Sequence, residues 1–364
     1  MSANRWLVTG NYFTSFRKEQ RIFSTHLDRT IFGVFLVCLF MWPLLIKLSN
    51  KNMFVIDGIL IAIVAVLGLN LLTGFAGLIS IGHAAFVGVG AYTVASIITV
   101  IGEDHLLLTH GWPLVILIAG IVGAVFGAFV GLPALRLRHL YLLMATLSFQ
   151  IIFQWVISFS TFFNQGQTIS VSRVFWLTGK IGRKQHYVFW YYVILVVIVL
   201  LGFGVRNLLR TRYGRSLVAV RDNDRAADAM GMHPGFTKVY AFALAGFIAG
   251  VAGALHAYLF RGVGFESFML HDSIVYLAMA IVGGMGTLNG SFWGPVAIQF
   301  LELQVESLAE EAGHLFPSGM NLSTALRPLT FGLVIVLFLM FEPRGIANWW
   351  RIARSYVKLW PFRY

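Results

Sequence analysis

The 364-residue chain has few charged residues, which make up 12% of it, and only one cysteine. Hydrophobic residues account for 58% of the chain, and the mean hydropathy is +0.78. A soluble domain of this size does not have such a composition. The scarcity of charge therefore argues against a soluble globular protein and indicates a polytopic membrane protein.

The sequence also lacks the motifs of several kinds of metal, catalytic and nucleotide-binding site. The one cysteine, Cys38, lies in an apolar run, so a disulfide framework or a cysteine metal cluster within the chain is excluded, and we expect Cys38 to be a small core residue. There is no H-E-x-x-H, no G-x-S-x-G and no G-x-x-x-x-G-K-[ST] motif. We therefore predict no metal, no cofactor and no enzymatic activity. Any ATP that drives this protein must be hydrolysed by a separate subunit.

What the chain does have is a series of apolar runs, each near the 20 residues that a bilayer-spanning helix needs. They predict an all-α polytopic membrane helix bundle of about ten transmembrane helices, some of them glycine-broken hairpins. The predicted spans are 31–46, 53–72, a third helix through 101, then 112–132, 140–160, 187–205, 238–258, a broken pair from 273 to about 308, and 325–341.

Two glycine-rich stretches interrupt these runs. The first is TGFAGLISIGHAAFVGVGAY at 73–92, and the second is GGMGTLNGSFWGP at 283–295. Each glycine disfavours a continuous helix by about 1 kcal/mol. We therefore predict a break at 73–82 and a second within 283–295. The two stretches resemble each other at a spacing of 209 residues, which pairs Gly74, Gly77 and Ser80 with Gly283, Gly286 and Asn289.

Polar residues near the breaks have two open interpretations. Broken backbone inside a bilayer is tolerated only where protein buries it or where it lines a water-filled cavity, and interrupted helices mark the path in many transporters. The same side chains can instead bond within the bundle, which is the role expected for His83, Gln150 and Gln154. The candidate path residues are Asn70, Thr73, Gly74, Gly77, Ser80, His83, Gln150, Gln154, Gly283, Gly286 and Asn289.

Two further spans carry small residues at helical spacing. Glycine recurs every four residues in the span 112–132 and at similar spacing in 238–258, which predicts faces that a neighbouring helix can approach closely. These glycines are Gly123, Gly127 and Gly131 in the first span and Gly246, Gly250 and Gly253 in the second.

One segment, 206–237, is highly charged. Nine charged side chains lie between Arg206 and Asp228. A single Arg or Asp at the bilayer centre costs about 2.5–3.5 kcal/mol, so nine would cost on the order of 25 kcal/mol. The segment therefore lies in water. Its composition predicts a short surface helix that ends at Gly231, with Pro234 as a stop, and that presents charge to a partner.

The distribution of basic residues predicts the topology. Of the 27 Lys and Arg residues, 19 lie in four gaps that a ten-span count places on one side, which the positive-inside rule assigns to the cytoplasm. Both termini are therefore expected in the cytoplasm. Because the basic residues lie between apolar runs, we expect no binding to nucleic acid. The predicted parts are a cytoplasmic tail (1–30), a transmembrane domain (31–343) and a basic cytoplasmic tail (344–364).

Several motifs together resemble a known family. GLNLLTGFAGLISIGHAAFVGVGAY, GLPALRLRHLYLLMATLSFQ, YGRSLVAVRDNDRAADAMGM, IVGGMGTLNGSFWGP and FEPRGI occur in this order over about residues 55–346. They resemble the permeases of bacterial branched-chain amino acid ABC importers, especially the larger, LivM-type permease. The resemblance implies a multi-pass permease of the bacterial inner membrane, surrounded by lipid. Its implied partners are a second homologous permease, two ABC ATPase subunits and a periplasmic substrate-binding protein.

The resemblance also implies roles for particular segments. The segment 206–237 corresponds to the cytoplasmic loop that such permeases present to their ATPases, and it keeps part of the pattern E-A-A-x-x-x-G with Arg225 in place of the glutamate. The implied coupling residues are Arg215, Arg221, Asp222, Asn223, Asp224, Arg225, Ala226, Ala227, Asp228 and Gly231. The outer segment 162–186 matches the family poorly. The implied cargo is a branched-chain or related amino acid, with amides, urea or small aromatic acids as the alternative.

Overall fold

The structure is a computed structural model, and it describes residues 26–45, 49–101, 111–135, 140–171, 183–313 and 345–359, together with residues 329, 332, 333, 336 and 340. Some of the predictions lie outside the described residues. These are the tail up to residue 25, the basic turn at Arg136 and Arg138, residues 172–182 of the outer segment, and most of the predicted span 325–341.

Helices form nearly all of the described chain. They are α1 (His26–Leu45), α2 (Asn50–Leu69), α3 (His83–Ile101), α4 (Trp112–Gly131), α5 (Leu140–Phe159), α6 (Arg183–Arg210), α7 (Arg212–Asp222), α8 (Asp224–Ala229), α9 (Pro234–Phe260), α10 (Leu270–Gly283), α11 (Leu288–Gly313) and α12 (Ile346–Leu359). A π-helical turn, Asn70–Phe75, continues α2. Two short antiparallel strands, β1 (Ile169–Ser170) and β2 (Gly262–Val263), complete the described secondary structure with three short 3₁₀ turns.

Six helices in the described ranges are long and apolar enough to cross a membrane, and the bent pair α10–α11 brings the number to seven. The predicted all-α polytopic bundle is confirmed. The described residues account for six or seven of the predicted ten spans. The two helices predicted between 273 and about 308 form one bent pair, α1 has only a shorter apolar stretch, and the last predicted span lies largely outside the described residues.

Helix α9 lies at the centre of the bundle, against α2, α3 and α4. Its glycine face meets the glycine stripe of α4: a Cβ atom on Gly246 would overlap the carbonyl oxygen of Gly123, and one on Gly250 would overlap that of Ala119. On the α3 side, a Cβ on Gly253 would overlap the carbonyl oxygen of Val87. The predicted small-residue faces are confirmed, and they bring the backbones of the central helices into contact.

The first predicted break is present. The π-helical turn ends at Phe75, residues 76–82 are irregular, and α3 begins at His83 and runs to Ile101 as predicted. The ring nitrogen Nε2 of His83 lies 2.9 Å from the carbonyl oxygen of Ala65. Ala65 precedes Phe75 by ten residues, which is about 15 Å along a helix. Helix α3 therefore starts beside the middle of α2, well inside the bundle.

The second break is shorter than the predicted 283–295. Helices α10 and α11 are separated by only four residues and are bent by 118°. Two glycines with positive φ, Gly284 at 108° and Gly286 at 75°, make the turn, so the helix resumes at once at Leu288. The sequence had suggested that the break ends at Pro295, but Pro295 lies inside α11.

Two further expectations were wrong in detail. Cys38 is exposed, because α1 contacts the bundle along one side only. The hydroxyl groups of Tyr191 and Tyr192 on α6 donate hydrogen bonds to the carbonyl oxygens of Leu39 and Phe40, at 2.7 and 3.1 Å, and hold α1 in place. Helix α6 is also longer than the predicted 187–205 and reaches the charged segment directly.

The charged segment forms two helices, α7 and α8, where one was predicted. The side chain of Asn223 accepts hydrogen bonds from the amides of Arg225 and Ala226 at 3.0 and 3.1 Å, which starts a new helix at Asp224. Gly231, at a φ of 80°, follows the end of α8 as predicted. Pro234 occupies the first turn of α9, where proline is favoured, and so begins a helix where we expected a stop.

The strand pair lies at the other end of α9 from the charged segment. Helix α9 has 27 residues, which corresponds to about 40 Å. The charged segment leads into its first residue, and β2 follows two residues after its last. Because β1 pairs with β2, the described part of the predicted outer segment is also at this second end.

Candidate coupling site between the charged segment and the broken helices

Arg221, in the last turn of α7, connects the charged segment to the first broken span. Its Nη1 donates a hydrogen bond to the carbonyl oxygen of Gly74 at 3.0 Å. Its Nε and Nη2 lie 3.0 and 2.9 Å from Oδ1 of Asp222, which orients the guanidinium group. Gly74 lies in the π-helical turn, near the helix end where carbonyl groups lack a partner within the helix. A cationic side chain therefore binds the open end of this span.

Gly77 makes room for the Arg221 side chain. Its φ is 70°, and a Cβ atom at this position would lie 2.5 Å from Cγ of Arg221. Glycine is therefore required here both for the backbone conformation and for the close approach of the arginine stem.

The two breaks touch each other at the same place. A Cβ on Gly74 would overlap the amide nitrogen of Gly286 and lie 2.9 Å from its Cα. Gly74 and Gly286 are 212 positions apart in the sequence, yet their backbones are in contact. Both glycine-rich stretches thus interrupt a helix, as predicted, and they meet beside Arg221. We call the set Asn70, Gly74, Gly77, Arg221 and Gly286 the coupling site.

Asn70 joins the two breaks through its side chain. Its Oδ1 accepts a hydrogen bond from the amide of Gly286 at 2.8 Å. Its Nδ2 donates to the carbonyl oxygen of Thr287 at 2.7 Å and to Oγ of Ser291 at 2.8 Å. The side chain is buried and has partners for both of its polar atoms, so it serves as a bridge between α2 and α11.

The buried start of α3 is capped by other helices. The amide of Ala84 donates to Oγ of Ser273 at 2.8 Å, and that of Ala85 donates to Oε1 of Gln150 at 2.8 Å. Gln150 also accepts a hydrogen bond from Ser273 at 3.0 Å and donates from Nε2 to the carbonyl oxygen of Phe268 at 2.7 Å. These bonds satisfy amides that a helix start deep in the bundle leaves without a partner.

The other candidate path residues have mixed surroundings. His83 and Ser80 are fully buried, and neither Nδ1 of His83 nor Oγ of Ser80 has a hydrogen-bond partner among the described residues. Thr73 donates to the carbonyl oxygen of Leu78 at 3.2 Å. Gln154 is half-buried, Gly283 is packed against the backbone of α11, and Asn289 is exposed. These candidate path residues therefore differ in their burial and in their hydrogen bonding, and their role in a path stays a prediction.

The implied coupling residues divide into an outward and an inward set. Ala227 is buried, and Asp224 forms an ion pair with Lys238 at the start of α9. Arg221 points to the breaks. Arg221 is itself exposed, and the other exposed members are Arg215, Asp222, Asn223, Arg225, Ala226, Asp228 and Gly231.

Sequence reasoning missed several residues of this region. Ser273, Thr287 and Ser291 bond to predicted residues that are more than 120 positions away, and their only signal was a hydroxyl group in an apolar run. Two exposed apolar side chains beside the charged residues were also missed. Met230 and Phe236 are 80% and 77% exposed, which is unusual for side chains of their size.

No group of three or more His, Cys, Asp or Glu side chains that could hold a metal occurs in the residues that the structure describes. What the coupling site provides is one hydrogen bond from the charged segment to the first break, at Gly74, and the Asn70 hydrogen bonds that join the first break to the second.

Comparison with known proteins places this architecture among transport proteins. Residues 52–341 match the family model described as "Branched-chain amino acid transport system / permease component". The high-affinity branched-chain amino acid transport system permease protein LivM of Escherichia coli is 30% identical over 351 residues, which cover 89% of this chain and 76% of that protein.

More distant relatives agree with this match. A probable branched-chain amino acid transport permease protein LivM of Methanocaldococcus jannaschii is 25% identical, over 77% of this chain and 88% of that protein. The inner membrane ABC transporter permease protein YjfF of Escherichia coli is also 25% identical, over 79% of this chain and 86% of that protein. No solved structure matches the chain.

Proposed function

The chain belongs to the family of branched-chain amino acid transport system permease components, and from this premise we propose that it is one of two permease subunits of an ABC importer. The two permeases form the path by which branched-chain or related amino acids enter the cytoplasm. Two separate ATPase subunits drive the transport, and a periplasmic binding protein delivers the cargo.

The observation that carries this proposal is the hydrogen bond from Arg221 to the carbonyl oxygen of Gly74. It connects the charged segment 206–237 to the point where two interrupted helices meet. A force applied to α7 and α8 is transmitted through Arg221 to both breaks. Interrupted helices at the transport path are a recurring feature of transporters, which supports a mechanical role for this contact.

The exposed side of the charged segment is the proposed ATPase contact. It contains the exposed Met230 and Phe236 as well as exposed charged residues, and a protein interface usually combines apolar side chains with polar ones. The opposite end of α9, with β1 and β2, is the proposed docking surface for the binding protein. This assignment places the charged segment and both termini in the cytoplasm.

In the proposed mechanism the charged segment shifts an equilibrium between two arrangements of the breaks. ATP binding closes the ATPase pair and moves α7 and α8, which pack against each other. The Asp224–Lys238 ion pair passes this motion to α9. The Arg221 contact then shifts the segment 74–77 and with it the turn at Gly286. Rearrangement of short turns between rigid helices is a common form of alternating access.

Cargo selection rests mainly on the binding protein in this proposal. Asn70 and Gln150 already use both polar atoms of their side chains within the chain, so these two residues offer no free polar atom to a substrate. A leucine-like amino acid is the proposed cargo because of the family. Amides, urea and small aromatic acids are the second candidate class.

Co-purification and reconstitution test the proposal. The affinity-tagged chain, extracted in mild detergent from cells that express the neighbouring transport genes, is expected to retain a second permease and ATPase subunits. In proteoliposomes the complex should take up radiolabelled leucine only with ATP and binding protein present. ATPase activity in the isolated chain, or leucine uptake by it alone, would contradict the proposed division of labour. Uptake of an amide or urea in place of leucine would establish the alternative cargo.

A further inference from the structure

The last described helix, α12, separates polar from apolar residues. At about 100° per residue, the Trp, Ile, Tyr, Val and Leu positions of IANWWRIARSYVKL occupy one continuous arc, and the basic, amide and hydroxyl positions occupy the other. The helix contains Arg351, Arg354 and Lys358 and no acidic residue. Residues 344–364 as a whole contain five basic residues and no acidic one.

The first half of α12 attaches it to the rest of the described chain, and the ring of Trp350 lies 6.3 Å from that of Trp293 on α11. Ala347 is buried, and Ile346 packs against the apolar residues between α2 and α10. Further along the helix the apolar arc is exposed: Ile352 and Tyr356 are exposed by 44% and 62%. A helix with one anchored end and a long exposed aromatic side needs a surface to cover that side.

The position of α12 identifies that surface. Gly345, just before the helix, contacts the second break: a Cβ on Gly345 would lie 2.5 Å from Cα and N of Gly284. The helix therefore starts at the same end of the bundle as the coupling site. In the sequence, the apolar run 325–341 ends only a few residues earlier. A helix that follows a membrane-crossing segment so closely emerges at the bilayer surface.

We propose that α12 lies on the membrane surface and binds the anionic headgroup layer of the bilayer. The aromatic arc enters the interface, where Trp and Tyr are favoured, and the basic arc faces lipid phosphate groups, which attract Lys and Arg. Through Gly345 the bound helix holds Gly284 in place, so anionic lipid supports the second break. This inference concerns lipid binding and stands whatever the cargo is.

Spin labelling of the full-length chain tests the position of the helix. A nitroxide is attached to Tyr356→Cys on the apolar arc or, as a matched control one position away, to Ser355→Cys on the polar arc, both in a Cys38→Ser background. The chain is placed in nanodiscs of phosphatidylcholine, with or without one-quarter phosphatidylglycerol. We expect the label at 356 to collide more often with oxygen, and less often with a water-soluble nickel chelate, than the label at 355. Phosphatidylglycerol should increase this difference severalfold.

Charge variants separate lipid binding from contact with protein. Arg351→Gln with Arg354→Gln and Lys358→Gln should remove the response to phosphatidylglycerol, whereas Arg351→Lys with Arg354→Lys should retain it. Equal nickel accessibility at 355 and 356 in both lipid mixtures would overturn the proposal. So would protection of position 356 from oxygen and nickel alike, because that pattern means a protein surface covers the apolar arc. Monodisperse elution of each variant shows that the chain has folded.

Discussion

Arg221 carries the connection between the charged segment and the breaks, and its geometry depends on the guanidinium group. One nitrogen binds Gly74 while two others are held by Asp222, an arrangement that the single ammonium group of lysine does not reproduce. Arg221→Lys keeps the positive charge but cannot bind Gly74 and Asp222 with separate nitrogens at the same time. A hydrogen bond from a charged group contributes about 1.5–3 kcal/mol, so we expect uptake to fall roughly ten- to hundredfold while the chain still assembles with its partners.

The measurement is ATP-dependent uptake in proteoliposomes, with partner content read from the purified complex. Arg212→Lys, on an exposed arginine of the same helix, is the matched control and should transport normally. Normal uptake by Arg221→Lys would show that the Gly74 contact does not transmit the motion. Loss of the ATPase subunits from the complex would instead place Arg221 in their docking surface.

Gln150 distinguishes the two interpretations that the sequence left open for polar residues in the spans. Its side chain bonds to Ala85, Phe268 and Ser273, so Gln150→Leu leaves several buried polar groups without partners. We expect a loss of about 2–4 kcal/mol in stability, seen as a lower melting temperature in detergent. Gln154→Leu, one turn along the helix and half-buried, should melt near the wild-type temperature. If Gln150→Leu changes uptake without lowering the melting temperature, the path interpretation is the correct one.

The central helices depend on glycine for their packing, and α9 shows this most directly. Gly246→Ala introduces a methyl group that overlaps the carbonyl oxygen of Gly123, so α9 and α4 must move apart. Overpacking of this kind costs about 1–3 kcal/mol, and we expect the melting temperature of the purified protein to drop. Gly204→Ala on α6 adds a methyl group with nothing within 4 Å and should melt no lower than wild type. An unchanged melting temperature for Gly246→Ala would mean that the two helices are not in close contact.

Element positions followed from local sequence signals where those signals were strong. Apolar length located α4 and α5 within about one residue, and glycine spacing identified the packing faces. The division of the charged segment at Asn223 was missed because a capping asparagine acts through two particular hydrogen bonds and leaves the composition of the segment unchanged. The length of the second break was overestimated for a similar reason: glycines mark where a turn is allowed, and only their φ angles show where it occurs.

Contacts between distant elements could not be predicted from the sequence. Asn70, Gly74 and Gly286 were all named as candidates, yet no pattern showed that Asn70 bridges the breaks or that Arg221 reaches them. A single sequence gives the chemical type of a side chain and its local helix, whereas its partner is fixed by the packing of the whole bundle. Interpretations that depend on partners, such as those of His83 and Gln150, could therefore not be decided from the sequence.

The orientation of the whole molecule gives a further prediction. We expect the charged segment on the cytoplasmic side and the strand pair on the periplasmic side. In a Cys38→Ser background, Ala226→Cys should react with a membrane-impermeant maleimide only after the cells are permeabilised. Gln167→Cys, exposed near β1, should react in intact cells. The reverse pattern of labelling would invert the proposed topology and place the proposed ATPase contact on the wrong side of the membrane.

The bridge made by Asn70 also bears on how the protein is made. The residue that supplies the amide proton for Asn70 Oδ1 is 216 positions further along the chain. At a synthesis rate of roughly 5–20 residues per second, the ribosome needs about 10–40 s to reach it. During that interval the side chain of Asn70 lies inside the membrane without its final hydrogen-bond partners. The early spans therefore depend on temporary protection, from lipid headgroups, water or the insertion machinery, until the last third of the chain arrives.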